Sequence, residues 1–293
     1  MKEIKIDGKN YGQRVDKYLL RFFPQMPKSF LYKMFRKKNI CLNKKKIEGS
    51  EILQENDLIQ IFFAEETFAG FRESKRVQTE RSFEILYEDE DVLVVSKPDD
   101  LLSQPNGRDR NLVDELSTYL PNERIGIVSR LDRNTTGAVI VGKNVQSLQL
   151  LNKTEITKTY HAILSGNLNR PFLLEDKLRK DEQGNKAVIS KTVGKQIVTH
   201  VLPINVSNGF TLAKVIIKQG KTHQIRAHLA GAGFPIVGDP KYGKAEINRR
   251  FQRKYGLTGQ LLHCYEVAWD DKKVVAPYFE MWKKVSAELF GKV

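Results

Sequence analysis

Polar and apolar positions along the chain follow two rhythms that change near residue 83. Val15, Leu19 and Phe22 recur at helical spacing and predict a short helix, which Pro24 and Pro27 end. Ser29 is the expected N-cap of a second helix. Phe30, Leu31, Met34 and Phe35 form its apolar stripe, and Arg36, Lys37 and Lys38 close it at the negative pole of the helix dipole. Residues 40–43 and 58–63 read as strands, so 1–66 is expected to form one compact helix-helix-strand unit. Residues 67–82 are polar and mixed in charge, and read as a linker. From 83 onward strands dominate, at 83–87, 92–97, 136–143, 160–164, 186–193, 196–205, 210–218 and 261–267. Helical patterns appear at 112–120, 145–152 (with Asn144 as N-cap), 222–230 and 279–290. Regular βαβ alternation is missing. Residues 83–293 are therefore expected to form an α+β domain with a mostly antiparallel sheet.

Composition narrows the class. With 40% hydrophobic and 29% charged residues, and only 10 Pro and 20 Gly, the chain is a folded globular protein. No apolar run approaches the roughly 18 residues of a membrane helix, and residues 1–10 lack the apolar core of a signal peptide. Two cysteines, Cys41 and Cys264, make neither a disulfide framework nor a Cys-rich metal site, so a reducing cytoplasm is the expected compartment.

Charge changes the picture more. Lys and Arg number 49 against 35 Asp and Glu, a net +14 with a pI near 9.6. Such an excess favours a polyanionic partner, although a generally basic enzyme would share it. Its distribution is uneven: between Arg14 and Lys46 eleven basic residues face one acid, Asp16, a local +10.

The order of motifs in this basic unit resembles an S4 RNA-binding domain: Gln13-Arg14-Val15-Asp16-Lys17-Tyr18-Leu19, then Lys28-Ser29, then Asn39 to Lys45, then Glu55-Asn56-Asp57. The resemblance implies that Arg14, Lys28, Arg36, Lys37, Lys38, Lys44 and Lys45 contact RNA phosphates, which supply affinity and orientation rather than sequence reading.

Generic cofactor motifs fail on inspection. Gly220-Lys221-Thr222 copies the end of a P-loop, but Val215 stands where the earlier glycine belongs. His223 and His228 lack the spacing and the glutamate of a zinc helix, and no GxGxxG occurs. No metal, ATP or NAD is expected.

Residues 126–137, Gly-Ile-Val-Ser-Arg-Leu-Asp-Arg-Asn-Thr-Thr-Gly, set Asp132 between two arginines at the edge of an apolar strand. By itself this could be a turn capped by Asp132. Four further segments accompany it in order: Tyr87 to Pro98, Lys158-Thr159-Tyr160, Gly220 to Leu229 and Pro235 to Gly243. Together the five resemble the RluA-type pseudouridine synthases over about residues 83–267. Two positions depart from that pattern: Ser129 stands where the family usually has His, and Asp99-Asp100 replaces a Gly-containing form.

The resemblance implies an isomerisation, in which a uridine's N1–C1′ bond breaks, the base turns, and C5 bonds to the sugar. No redox cofactor or energy source is required. It assigns Asp132 as the nucleophile or base, Arg226 as its cationic partner, and Tyr160 as the aromatic beside the target base. A free aspartate has a pKa near 3.9, and burial could raise it by up to about 3–5 units, so an arginine neighbour would preserve the anion. Arg130 is expected to help displace the nucleotide. His223 and Gln224 are expected to meet RNA or orient their helix.

The layout most resembles the branch acting on large-subunit ribosomal RNA, with tRNA as the other candidate, and a monomer is the expected state. Two other classes compete. A non-catalytic RNA-binding or ribosome-associated factor would share the basic unit but would not need Asp132, Tyr160 and Arg226 together. A metal-dependent nuclease would need clustered carboxylates, which these motifs lack.

Overall fold

The computed structural model describes all residues except 9, 24, 73–79, 122–124, 182–185 and 292–293. The first unit contains β1 (Lys2–Lys5), α1 (Val15–Phe22), α2 (Lys28–Arg36), β2 (Ile40–Leu42), β3 (Lys45–Lys46), β4 (Leu58–Ile61) and α3 (Glu65–Arg72). The second contains β5 (Glu84–Glu88), β6 (Val92–Lys97), α4 (Leu112–Tyr119), β7 (Gly126–Ile127), β8 (Thr136–Gly142), α5 (Val145–Lys153), β9 (Thr157–Ser165), β10 (Phe172–Lys180), β11 (Ala187–Ser190), β12 (Lys195–Ser207) and β13 (Phe210–Ile217). It ends with α6 (Gln224–Gly231), α7 (Ala245–Tyr255), β14 (Leu262–Trp269), β15 (Lys272–Val275) and α8 (Glu280–Phe290).

In the first unit a four-stranded sheet, ordered β1-β4-β2-β3, shares a core with α1 and α2. Val15, Leu19, Leu31, Phe35, Ile40, Ile59 and Ile61 are buried there, as the helical spacing of the apolar residues requires. Two expectations are corrected. Helix α2 starts at Lys28 with Pro27 in the cap position and no side-chain cap, so Ser29 lies within the first turn. Residues 65–72, which overlap the expected linker, are helix α3, whose Phe68 and Phe71 pack on this core against Phe23, Phe63 and Phe30. Two aromatics within one turn are too short a stripe to stand out in a polar stretch. The rest of the expected linker falls largely on 73–79, outside the described residues.

The second unit is built on an eleven-stranded, mostly antiparallel sheet with β11-β10-β12-β13-β9-β14-β8-β6-β5 as its main order; β15 joins β14, and β7 joins β8. The α+β class therefore holds. Strands β7, β10 and β15 and helix α7 lie outside the elements that the sequence pattern predicts. Strand β10 is rich in charge because alternate residues, Leu173 and Glu175 among them, face solvent while the backbone pairs with β12 on one side and β11 on the other. Among the described residues no helix is long and apolar enough to cross a membrane.

One row of residues crosses the centre of the sheet. Lys97 of β6 pairs with Gly137 of β8, Gly137 with Cys264 of β14, Cys264 with Tyr160 of β9, and Tyr160 with Val215 of β13. The β8–β14 contact is parallel and very close. Gly137 has φ +104°, and a Cβ there would lie 2.2 Å from the Cys264 carbonyl oxygen, so only glycine permits the pairing. The two units meet where Gln146 and Gln149 of α5 donate to the carbonyls of Tyr11 and Gly12, at 3.1 and 2.9 Å.

Candidate active site

A cleft of about 1080 Å³ opens beside that central row. Its lining comes from the 127–135 loop, the end of α5, the start of β9, the segment between β13 and α6, and Pro240-Lys241. The loop entering β8 carries Asp132. Its neighbour Leu131 is pinned by Ser103, whose Oγ accepts the Leu131 N–H at 3.1 Å and donates to the Leu131 carbonyl at 2.7 Å. Asp132 does not cap its own turn. The Thr135 N–H bonds the main-chain oxygen of Asp132, leaving the carboxylate free to reach across the cleft.

There it meets Arg226 of α6, whose Nη1 donates to Asp132 Oδ2 at 2.7 Å. The arginine is 4% exposed, and its other nitrogens are fixed: Nε and Nη2 donate to the two oxygens of Asp239, at 2.7 and 2.8 Å. Asp239 is fully buried and also accepts the backbone N–H groups of Lys241 and Tyr242. Burial opposes both charges. The contact with Asp239 and Asp132 nonetheless keeps the guanidinium pKa above its usual value, and Arg226 with the two N–H donors keeps Asp239 below the usual carboxylate range. A side chain buried between two carboxylates cannot swing away, so Arg226 presents one preset donor to Asp132.

Tyr160 is buried and also lines the cleft. Burial pushes its phenol well above the usual pKa, and neighbouring Cys264 and the charge of Asp132 push the same way, so the hydroxyl keeps its proton. Asp132, Tyr160 and Arg226, distant in sequence, thus share one cleft. His223 is held at φ 56° by the turn into α6; its Nδ1 is 3.0 Å from the Tyr242 hydroxyl and its Nε2 3.9 Å from Asp132. Burial, helped by Arg226 and Lys241 and opposed by Asp132, lowers its pKa, so the ring is neutral near pH 7. Arg130 is exposed at the cleft, 3.2 Å from Gln104.

Gln224, expected to meet RNA or orient its helix, and Arg14, expected to contact RNA, both have partners within the protein. Gln224 is buried; its Nε2 donates to the Val198 carbonyl and Thr199 Oγ1, and its Oε1 accepts the Lys221 N–H, so its amide anchors α6 to β12. Arg14 is committed to buried Asp16, with Nε–Oδ1 and Nη2–Oδ2 distances of 3.1 and 2.9 Å, beside the Tyr32 hydroxyl at 2.6 Å from the same carboxylate. It clamps α1 to α2. Lys28, Arg36, Lys37, Lys38, Lys44 and Lys45 are exposed on the first unit and do not line the cleft.

Lys97 and Asp239 fall within the sequence motifs, yet the motifs alone give neither a task. Lys97 is fully buried, and its Nζ donates to the carbonyls of Pro98, Leu101 and Arg133 at 2.7–2.8 Å. Burial pushes its pKa down to about 7, against the pull of Asp99, Asp132 and Asp100. The available signal is a lysine ending a strongly apolar strand, where it has no route to solvent.

The profile of a protein family described as RNA pseudouridylate synthase matches residues 91–231. The Pasteurella multocida protein named ribosomal large subunit pseudouridine synthase C is 31% identical over 286 residues, covering 93% of this chain and 87% of that one. Ribosomal large subunit pseudouridine synthase D of Escherichia coli strain K12 is 29% identical over 249 residues, 79% of this chain and 73% of that one. The solved structure titled human RNA pseudouridylate synthase domain containing 1 superposes with a TM-score of 0.57 at 22% identity, over 72% of this chain and 91% of that one, and shows the shared fold.

Proposed function

Because the chain belongs to the RNA pseudouridylate synthase family, and is thus an isomerase, we propose that it converts uridines of large-subunit ribosomal RNA to pseudouridine, with Asp132 as the reacting carboxylate. The observation that carries this reading is the Asp132–Arg226–Asp239 chain at a cleft wall formed partly by Tyr160. The target nucleoside enters the cleft unstacked. Flipping takes a few kcal/mol, less in a loop already unpaired, and Arg130 at the rim occupies the space it leaves.

Within the cleft the chemistry needs an anion at the sugar or base, and Asp132 is aimed inward by Arg226 and by the pinned Leu131 backbone. Arg226 stabilises that anion without quenching it, because Asp239 already shares its positive charge. Tyr160, protonated, offers the detached base a flat face and one polar tip.

The relatives' names supply ribosomal RNA as substrate, and the basic first unit suits a structured RNA. In this reading residues 1–72 act as an S4-like RNA-binding module and 83–293 as the catalytic domain, working as a monomer in the cytoplasm without cofactor. The test is incubation of unmodified ribosomal RNA with pure protein in EDTA, followed by pseudouridine mapping. Conversion at defined uridines that disappears in Asp132→Asn supports the proposal. Conversion by that variant removes Asp132 from the chemistry, and conversion of tRNA alone moves the substrate.

A further inference from the structure

The chain's +14 resides in two short stretches. Residues 14–46 carry +10, and residues 241–254 carry six basic side chains against Glu246, which leaves the rest of the chain at −1. The second stretch is Lys241, Lys244 and helix α7, and neither the core nor the chemistry at Asp132 calls for so much charge there.

Helix α7 buries Phe251 and Tyr255 in a core with Phe210 and Trp282. Arg249, Arg250 and Arg253 are not part of that core and make no ion pair among the described residues; Lys254, by contrast, is drawn to Glu288. Three arginines left unneutralised on one surface repel one another and suit an anionic ligand. The helix is tied to the cleft. Asn248 Oδ1 accepts the Gly238 N–H and Asn248 Nδ2 donates to the Asp239 carbonyl, both at 2.8 Å, and Lys241 lines the cleft itself.

We propose that the face of α7 presenting Arg249, Arg250 and Arg253 is a second RNA-binding surface, which holds the phosphate backbone of the substrate RNA beyond the target nucleotide. The proposal rests on the reading of the chain as an enzyme acting on RNA. Guanidinium forks match phosphate oxygens in pairs, and arginines one helical turn apart reach successive groups along one strand. A bilayer is the weaker match, because the apolar face of α7 is already buried and has nothing to insert. With the first unit docked on α5 and α7 joined to the Asp239 loop, RNA is held through two lining elements of one cleft.

The test is a triple variant, Arg249→Gln with Arg250→Gln and Arg253→Gln, in the full chain. Binding to unmodified large-subunit ribosomal RNA is measured across a salt series, together with the rate of pseudouridine formation at saturating RNA. Affinity should weaken about tenfold or more and the log–log salt slope should drop by about 2–3, as loss of three phosphate contacts requires. The saturated rate and melting temperature should match wild type, and three lysines in the same positions should restore the slope. Wild-type affinity and slope in the glutamine variant would overturn the proposal. Wild-type protein that binds RNA yet forms no pseudouridine on any RNA would instead defeat the enzymatic reading and leave the binding comparison to decide the role of α7.

Discussion

Asp239 grips Arg226 with both carboxylate oxygens, at 2.7 and 2.8 Å, and leaves Nη1 to meet Asp132. Asp239→Asn removes the charge and one of the two acceptors. Breaking a buried pair by removing one partner destabilises by about 3–5 kcal/mol. The melting temperature should fall, and kcat should fall further than KM rises, because a loosened Arg226 closes onto Asp132 and neutralises the anion. An unchanged kcat would show that the pair serves folding alone.

Arg226→Lys keeps the charge but not the fork. An ammonium cannot lie in one plane with two carboxylates and satisfy both through three nitrogens. Turnover should drop by about two orders of magnitude, in the range lost with a single preset electrostatic donor, while RNA affinity stays within a few-fold. Single-turnover kinetics and RNA binding, measured side by side, separate the two effects.

Lys97 joins β6 to the Asp132 loop by donating to three carbonyls. Lys97→Met takes that donor from the buried Leu101 carbonyl, at about 1–3 kcal/mol, and unties the partly buried carbonyls of Pro98 and Arg133, which lets Arg133 and the adjoining Asp132 drift. Both melting temperature and turnover should fall. The sign of the pH effect is specific. The folded-state pKa, about 7, lies below the unfolded value, so the unfolded chain holds the extra proton between them. Wild-type stability from this group therefore increases from about pH 7 toward pH 10, and the methionine variant should lack that increase in urea unfolding.

The Asp89 turn predicts the acid side. Burial works against its charge, but the Tyr87 hydroxyl, Lys272 and the N–H groups of Val92 and Asp91 outweigh it and hold the pKa well below the usual value. A carboxylate depressed in the folded state contributes above its unfolded pKa of about 3.9, and that contribution is lost as pH falls through the folded value. Urea midpoints should decline from about pH 5 to pH 2, and less steeply in Asp89→Asn.

How much of the molecule was legible in the sequence depended on the kind of signal. Apolar strands and amphipathic helices declared themselves: residues 92–97 are buried throughout, and Asn144 caps α5 as expected, Ser147 completing a capping box with it. Several elements escaped, and β10, β15, α3 and α7 are those whose apolar residues are few or interrupted by charge, each stabilised by contacts the sequence does not reveal. Motif order singled out Asp132, Tyr160 and Arg226, and the fold brings the three into one cleft. Asp239 and Lys97 were not singled out, because each acts by holding a neighbour, and that relationship exists only after β6, β8 and α6 converge. For Gln224 the sequence left two tasks open, meeting RNA or orienting its helix, and only the fold, which turns its amide onto β12, distinguishes them.

Helix α3 changes how the first unit should be removed. Cutting after residue 66 would strand Phe68 and Phe71 without the core they cover, so a shortened chain should begin at residue 80. That chain also lacks the main-chain oxygens of Tyr11 and Gly12 that receive Gln146 and Gln149, but these are surface contacts and the large sheet does not depend on them. It should therefore fold, retain turnover on a short RNA that contains a target uridine, and bind long ribosomal RNA with a much flatter salt dependence, because the +10 segment's phosphate contacts are gone. Arg14→Gln in the full chain should instead lower the melting temperature, by leaving the buried Asp16 carboxylate without its charge partner, and barely move the salt slope. An equal slope for the shortened and full chains would assign RNA holding to the catalytic domain and α7 alone.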